Sequence, residues 1–175
     1  MKEILKRHSK EIIEKAKRIK ALLFDVDGVL TNGRIIYMGE ESEIKEFHVR
    51  DGQIIKPLRE AGILVGIITG RLSEAVLRRA MELELDIIRQ GIKNKLECYE
   101  KIKSENNLIS DEVAYIGDDF PDVEIMEDCL LGICPADAPD YIRHRADWVT
   151  EAKGGEGVVR EVADLILSAQ GKFPI

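Results

Sequence analysis

Ala21-Leu22-Leu23-Phe24-Asp25-Val26-Asp27-Gly28-Val29-Leu30-Thr31 is the stretch from which the fold is read. Its leading apolar residues, Ala21 to Phe24, have the length and continuity of a buried strand, and Gly28 ends the run just after the second aspartate. Asp25 and Asp27 alternate with Val26, so while extended backbone persists their side chains share a face at the strand's carboxyl end. Ligands of open α/β sheets bind at that end. Carboxylates left unpaired beside an apolar strand are costly and call for a cation or a chemical role. Taken alone, Asp-x-Asp-Gly is also the pattern of an Asx-rich turn that closes a strand.

Outward from this stretch, Ile63 to Ile68 is a second continuous apolar run and opens into Thr69-Gly70-Arg71. Val113-Ala114-Tyr115-Ile116 runs into Gly117-Asp118-Asp119-Phe120-Pro121-Asp122. Strand-like and helix-like segments alternate over 64–68, 73–84, 86–89, 94–106, 112–116, 120–127, 130–134, 139–144, 147–149 and 157–169. That alternation indicates an α/β fold, a parallel sheet with helices on both faces. Gly52 to Ala61 reads as a further helix that Pro57 either limits or begins. Residues 3–19 place Ile4, Leu5, Ile12, Ile13, Ala16 and Ile19 among charges, which predicts one amphipathic helix docked on the domain. Glu3, Glu11 and Glu14 weigh against a basic membrane-surface helix. Two β-prone runs flank Met38-Gly39-Glu40-Glu41-Ser42, predicting a hairpin over 33–48. It is either an extension of the main sheet or a flap.

The whole chain, residues 1–175, is read as one domain, because no insertion is long enough for a separate cap. A formal net charge of −7 argues against a nucleic-acid partner. Cys98, Cys129 and Cys134 show no paired metal-ligand spacing and fit free thiols of a reducing cytoplasm. No apolar run approaches the ~20 residues of a membrane span, and an apolar signal-peptide core is not expected at the N-terminus.

Asp118 and Asp122 bring further negative charge to the edge that carries Asp25 and Asp27. Converging carboxylates raise one another's pKa values, a divalent cation relieves this, and hard oxygen ligands favour magnesium over zinc. Thr69-Gly70 offers a hydroxyl and backbone N–H groups to an anion, although such a pair is more often simply a turn. Lys95 and Lys93 both lie where a lysine could meet a phosphoryl group.

Taken in order, Asp-x-Asp-Gly-Val-Leu-Thr, Thr-Gly, Lys and Gly-Asp-x-x-x-Asp resemble the haloacid dehalogenase-like phosphohydrolases, with matches from Lys20 to Lys172. Phe47-His48-Val49-Arg50-Asp51-Gly52, Thr69-Gly70-Arg71, Asn94-Lys95-Leu96 and Ala169-Gln170-Gly171-Lys172 resemble the capless branch that dephosphorylates 3-deoxy-D-manno-octulosonate 8-phosphate. The resemblance implies a three-layer Rossmann-like sandwich with a small hairpin flap and no cap. It implies magnesium-dependent hydrolysis to 3-deoxy-D-manno-octulosonate (KDO) and phosphate, in lipopolysaccharide biosynthesis in the cytoplasm. By the same resemblance, Asp25 is the nucleophile that forms an aspartyl phosphate, and Asp27 is the acid and base. Thr69 and Lys95 hold the phosphate. Magnesium is held by Asp25, Asp118 and the backbone carbonyl of Asp27, with Asp122 a weaker or more distant ligand. Substrate contacts fall on His48, Arg50, Asp51, Gly52, Lys56, Gly70, Arg71, Arg79 and Lys95, with Lys56 where that branch is expected to carry arginine. The flap joins subunits into a homotetramer, and the tail from Ala169 to Ile175 reaches a neighbouring site.

Arg71 at the mouth suits a sugar-acid carboxylate held through two parallel hydrogen bonds. Tyr141-Ile142-Arg143 and Gly154-Gly155-Glu156-Gly157 also resemble the relatives acting on nine-carbon acid phosphates, so those substrates remain an alternative. The glycine-rich stretch lacks the Gly-Lys-Ser/Thr of a nucleotide loop and reads as the start of the last helix. A response-regulator receiver would need an acceptor aspartate where Thr69 stands. A non-catalytic sugar-phosphate-binding subunit would lose the acid pair that Asp25 and Asp27 retain.

Overall fold

A computed structural model describes residues 2–39 and 42–174. β1 (Ala21–Phe24) is buried throughout and lies at the centre of the sheet. It pairs in parallel with β4 (Leu64–Ile68) on one side and β6 (Val113–Ile116) on the other. β5 (Ile87–Arg89) lies beyond β4, while β7 (Leu131–Cys134) and β8 (Trp148–Val149) lie beyond β6. The result is a six-stranded parallel sheet in the order β5-β4-β1-β6-β7-β8. Strand order reverses beside β1, which places a switch-point crevice at its carboxyl end.

Alternation along β1 builds the three layers. Leu22 and Phe24 face one core with α2 (Lys10–Arg18), α3 (Val49–Glu60), α4 (Glu74–Glu82) and α8 (Val158–Ala169). Ala21 and Leu23 face the other, with α5 (Lys95–Glu105), α6 (Val123–Asp128) and α7 (Asp140–Arg143). A period of two thus serves both faces of a doubly covered sheet, as the continuous apolar runs require. No helix among the described residues is long and apolar enough to cross a membrane.

Three expectations change. The single N-terminal helix is two, α1 (Lys2–Leu5) and α2, because the Ser9 hydroxyl caps α2 by accepting from the Ile12 N–H at 3.2 Å. The turn between them sets His8 edge-on against Trp148, with centroids 4.7 Å apart. Next, α3 begins at Val49 rather than Gly52, since the His48 imidazole accepts from the Arg50 N–H at 3.2 Å. Pro57 therefore lies inside the helix and leaves the Gln53 carbonyl without its usual donor. Finally, the hairpin does not extend the main sheet. β2 (Ile36–Met38) and β3 (Ser42–Ile44) pair antiparallel as a separate two-stranded sheet. Glu40 and Glu41 of its link lie outside the described residues.

After α8, Gln170 donates to the carbonyls of Ala16 and Ile19, and Lys172 Nζ to that of Ala61 at 2.7 Å. Ile19 and Ala61 precede β1 and β4, so this part of the tail is held at the amino edge, opposite the crevice of its own chain. Ile175 lies outside the described residues.

β4 and β5 approach closely at Gly66, where a Cβ would stand 2.5 Å from the Ile87 Cβ. Gly66→Ala is expected to destabilise the chain by about 1–3 kcal/mol through overpacking. Denaturant unfolding checks this, and an unchanged midpoint would mean that β5 yields freely.

Candidate active site

β1 and β6 end level with each other, Phe24 opposite Ile116, and the Asp25 N–H donates to the Ile116 carbonyl at 3.0 Å. The loops that follow therefore leave the sheet side by side. Gly28 has φ +91°, and a Cβ there would lie 2.0 Å from Asp118 Oδ2. Only glycine lets the Asp118 carboxylate lie over the Asp25 loop. Gly154 and Gly155 support the same loop from behind. Gly155 N–H donates to the Val29 carbonyl at 3.0 Å, and a Cβ on Gly154 would lie 2.1 Å from the Gly28 carbonyl. This glycine-rich turn thus buttresses the site as well as leading into α8.

Asp122 is fully buried, and both its oxygens are engaged. Oδ1 accepts from Lys95 Nζ at 2.7 Å and from the Tyr115 hydroxyl at 2.6 Å. Oδ2 accepts from the Asp118 and Asp119 N–H groups at 3.2 and 3.4 Å. Lys95, at the start of α5, reaches across to Asp25 Oδ2 at 2.9 Å. Asn94 fixes that helix end by accepting from the Glu97 N–H at 3.0 Å. Lys93 is exposed, so the geometry selects Lys95 between the two lysines. Asp119 turns outward, accepting from the Phe120 N–H and the Tyr141 hydroxyl at 2.8 and 3.0 Å.

Carboxylate oxygens of Asp25, Asp118 and Asp122 lie within 4.8 Å of one another. One lysine does not neutralise them. Burial pushes Asp25 up to about 6, with Lys95 opposing and Asp122 adding to the rise. Burial, then the Asp25 and Asp122 charges, push Asp118 up to about 8. The Lys95 ammonium is itself burdened by burial, yet the two aspartates hold its pKa above the ordinary value. Buried carboxylates this reluctant to ionise, offering oxygen alone, fit a hard divalent cation such as magnesium.

Asp27 does not join them. β1 ends at Phe24, before either aspartate, so the extended backbone on which their shared face depends does not reach them. Asp27 Oδ1 pairs with Lys45 Nζ from the hairpin, and its Oδ2 lies 3.8 Å from Arg71 Nε. Arg71 Nη2 donates to Glu43 Oε2 at 2.8 Å. Glu43 and Lys45 escaped the sequence reading. Their one signal is that both alternate with Ile44 in the second hairpin run, and nothing local ties that run to Asp27.

Thr69 is buried at the end of β4, its N–H donating to the Arg89 carbonyl. Gly70 is exposed, and a Cβ there would meet only the Ile92 carbonyl, at 3.6 Å. α4 begins later, at Glu74, and Ser73 caps it, so the turn's own hydroxyl and amides are what it offers an anion.

The remaining candidates sit apart on α3 and α4. Asp51 is buried and accepts from the Arg160 N–H at 2.7 Å, capping α8 from across the core. Gly52 gives room to α4, since a Cβ there would stand 2.3 Å from Arg79 Nη2. Lys56 extends into solvent, 3.8 Å from Glu60. Arg50 lines a cavity of about 730 Å³ with Ile4, His8 and Trp148. Arg79 lies 3.6 Å from Glu82.

The family model of haloacid dehalogenase-like hydrolases matches residues 80–162. The chain is 44% identical over 166 residues to 3-deoxy-D-manno-octulosonate 8-phosphate phosphatase KdsC of Escherichia coli (strain K12), covering 94% of this chain and 88% of that protein. It is 42% identical to the KdsC of Yersinia pestis, covering 93% and 87%. Its fold superposes with TM-score 0.92 on the crystal structure of 3-deoxy-D-manno-octulosonate 8-phosphate phosphatase from Moraxella catarrhalis in complex with magnesium ion, phosphate ion and KDO, at 42% identity and 95% coverage of each chain.

Asp118 titrates near 3.9 in an unfolded chain and is raised to about 8 in the fold. Without metal the folded state keeps that proton while the unfolded state loses it, so stability falls as pH rises from about 4 to about 8. Asp25, raised to about 6, acts in the same direction. Magnesium is therefore expected to raise the melting temperature more at pH 8 than at pH 5, and Asp118→Asn to remove most of the gain. Equal gains at both pH values would contradict this electrostatic picture.

Proposed function

The chain belongs to the haloacid dehalogenase-like hydrolases, in the family of the 3-deoxy-D-manno-octulosonate 8-phosphate phosphatases, and on that premise we propose that it hydrolyses this sugar-acid phosphate to KDO and phosphate. The observation that carries the reading is the Lys95 ammonium, set between Asp25 at 2.9 Å and Asp122 at 2.7 Å with Asp118 alongside. A nucleophilic carboxylate, a fixed positive charge and a hard-cation pocket thereby meet at one sheet edge.

Asp25 attacks phosphorus, forming an oxygen–phosphorus bond as the bond to the sugar oxygen breaks. Asp27 delivers a proton to the departing sugar oxygen. It then takes one from the water that cleaves the aspartyl phosphate and regenerates Asp25. Thr69, the Gly70 amide and Lys95 hold the phosphoryl oxygens, and Arg71 receives the substrate's carboxylate. Asp25, Asp118 and the Asp27 carbonyl would hold magnesium, with Asp122 locking the loop behind them; when bound, the ion supplies positive charge to the phosphoryl oxygens. Separate partners suit separate tasks: Lys95 favours ionised Asp25, while Asp27 faces the mouth.

We assign the hairpin to contact with further copies of the chain, as a homotetramer. Ile35, Ile36, Tyr37 and Ile44 are exposed, with Tyr37 71% accessible, and an isolated hairpin needs a surface to pack on. Arg50 and Lys56, exposed on α3, and His48 and Arg79 beside them would then serve a neighbour's substrate. Asp51 Oδ1 accepts from the Arg160 N–H, while its Oδ2 is buried without a hydrogen-bond partner among the described residues. Three cysteines without a disulfide fit the cytoplasmic location proposed for the enzyme.

In a panel of sugar phosphates with magnesium, octulosonate 8-phosphate is expected to give the highest kcat/KM, and a nine-carbon acid phosphate in first place would overturn the substrate assignment. Lys95→Met should lower kcat by about 10²-fold or more, and Lys93→Met should leave it near the native value. Equal losses would return the choice between the lysines to open. Light scattering should show a tetramer that Tyr37→Asp shifts to smaller species; a native monomer would refute the assembly.

A further inference from the structure

Glu43 and Lys45 flank Ile44, so extended backbone sends both to one side and Ile44 to the other. Ile44 is exposed, whereas the Lys45 side chain is 1% accessible and that of Glu43 is 12%. They close a ring of charges with the two groups at the mouth. Lys45 Nζ pairs with Asp27 Oδ1 and lies 3.6 Å from Glu43 Oε1. Glu43 Oε2 accepts from Arg71 Nη2 at 2.8 Å, and Arg71 Nε lies 3.8 Å from Asp27 Oδ2. Two cations and two anions alternate around the ring.

The ring is not merely an anchor for the hairpin. Nε and Nη2 form the side edge of the guanidinium, and that edge is turned inward toward Asp27 and Glu43. Among the described residues, Arg71 Nε and Glu43 Oε1 are buried with no hydrogen-bond partner. A contact selected for stability alone would satisfy both through the parallel pair that arginine and carboxylate readily form. Instead, Glu43, Asp27 and Tyr37 each touch Arg71 separately and fix its orientation, while 41% of its side chain stays open.

We propose that Glu43 and Lys45 are positioning residues of the reaction: Lys45 aims the Asp27 carboxylate at the leaving oxygen, and Glu43 holds the inner edge of Arg71 so that its outer edge meets the substrate's carboxylate. The assignment rests on the phosphatase reading above. It makes the hairpin part of the catalytic site and divides its effect in two, turnover through Lys45 and acid recognition through Glu43. Displacing an acid–base group by about 1 Å can cost about 10²-fold, and loss of one charge-assisted contact costs about tenfold.

The test compares octulosonate 8-phosphate with glucose 6-phosphate, which has no carboxylate, in the presence of magnesium. Glu43→Gln is expected to raise KM about tenfold for the acid, with a much smaller change for glucose 6-phosphate. In an Arg71→Met background Glu43→Gln should add little, because its effect runs through Arg71. Lys45→Met is expected to lower kcat by ten- to a hundredfold on both esters, with little change in KM. Should Glu43→Gln fail to fold, Glu43→Asp is expected to give a smaller KM shift in the same direction, for the acid alone. Parallel losses in kcat and KM on both esters would reduce the ring to a structural anchor. Unchanged KM in Glu43→Gln, with an active native enzyme, would overturn this assignment alone. A native enzyme inert toward both esters would overturn the phosphatase reading and this assignment with it.

Discussion

Everything at the carboxyl edge of the sheet answers to one electrostatic problem, two buried carboxylates and a half-buried third around a single buried ammonium. Lys95 pairs with Asp25 and Asp122 at hydrogen-bonding distance, leaving Asp118 to carry the residual frustration, with its pKa raised to about 8. A buried charge is tolerated when it is paired and hydrogen-bonded, and removing one partner strands the other. Asp122 meets that condition with donors on both oxygens. Asp25 also has donors on both oxygens, the Val26 N–H at 2.7 Å and Lys95 at 2.9 Å, yet burial and the Asp122 charge still raise it, and Asp118 is raised further. The fold therefore holds two carboxylates in readiness for a cation.

The loops are shaped by the same demand. Carboxylates converge only if the backbones carrying them come closer than side chains allow, and Gly28, Gly117 and Gly154 are where they do. A Cβ at Gly117 would lie 2.2 Å from the Asp122 Cβ, and one at Gly154 would enter the Gly28 carbonyl. Three loops distant in sequence thus form one rigid seat. That rigidity matters to catalysis, because preorganised charge stabilises a transition state without reorganising at the moment of reaction.

Much of this was legible in the chain. Ala21 to Phe24 could only be an interior strand, and acids after β1 and β6 with a threonine after β4 follow from parallel topology once β1 is central. What stayed hidden depends on contacts distant in sequence. Asp51 reads as a candidate substrate contact, and the link from its Oδ1 to the Arg160 N–H, 109 residues away, could not be read locally. The two-residue spacing of Asp25 and Asp27 places them on one face only while the strand lasts, and β1 ends at Phe24, before either residue. Ser9 and His48 are local caps and could have been read as helix starts, but apolar periodicity ran through the first and Pro57 drew attention from the second. Glu43 and Lys45 had no local signature, since their partners lie on other loops.

A domain without a cap must still control water at its mouth. Burial of the Lys45 side chain to 1% accessibility shows that the hairpin covers the Asp27 side of the crevice, although its strands do not join the main sheet. The Lys45–Asp27 and Arg71–Glu43 pairs hold it there. Ion pairs suit that task better than apolar packing, because they fix direction as well as distance and weaken only where water enters. Ile35, Ile36, Met38 and Ile44 of the hairpin are exposed instead, so one short element turns its charges toward the site and leaves an apolar face open.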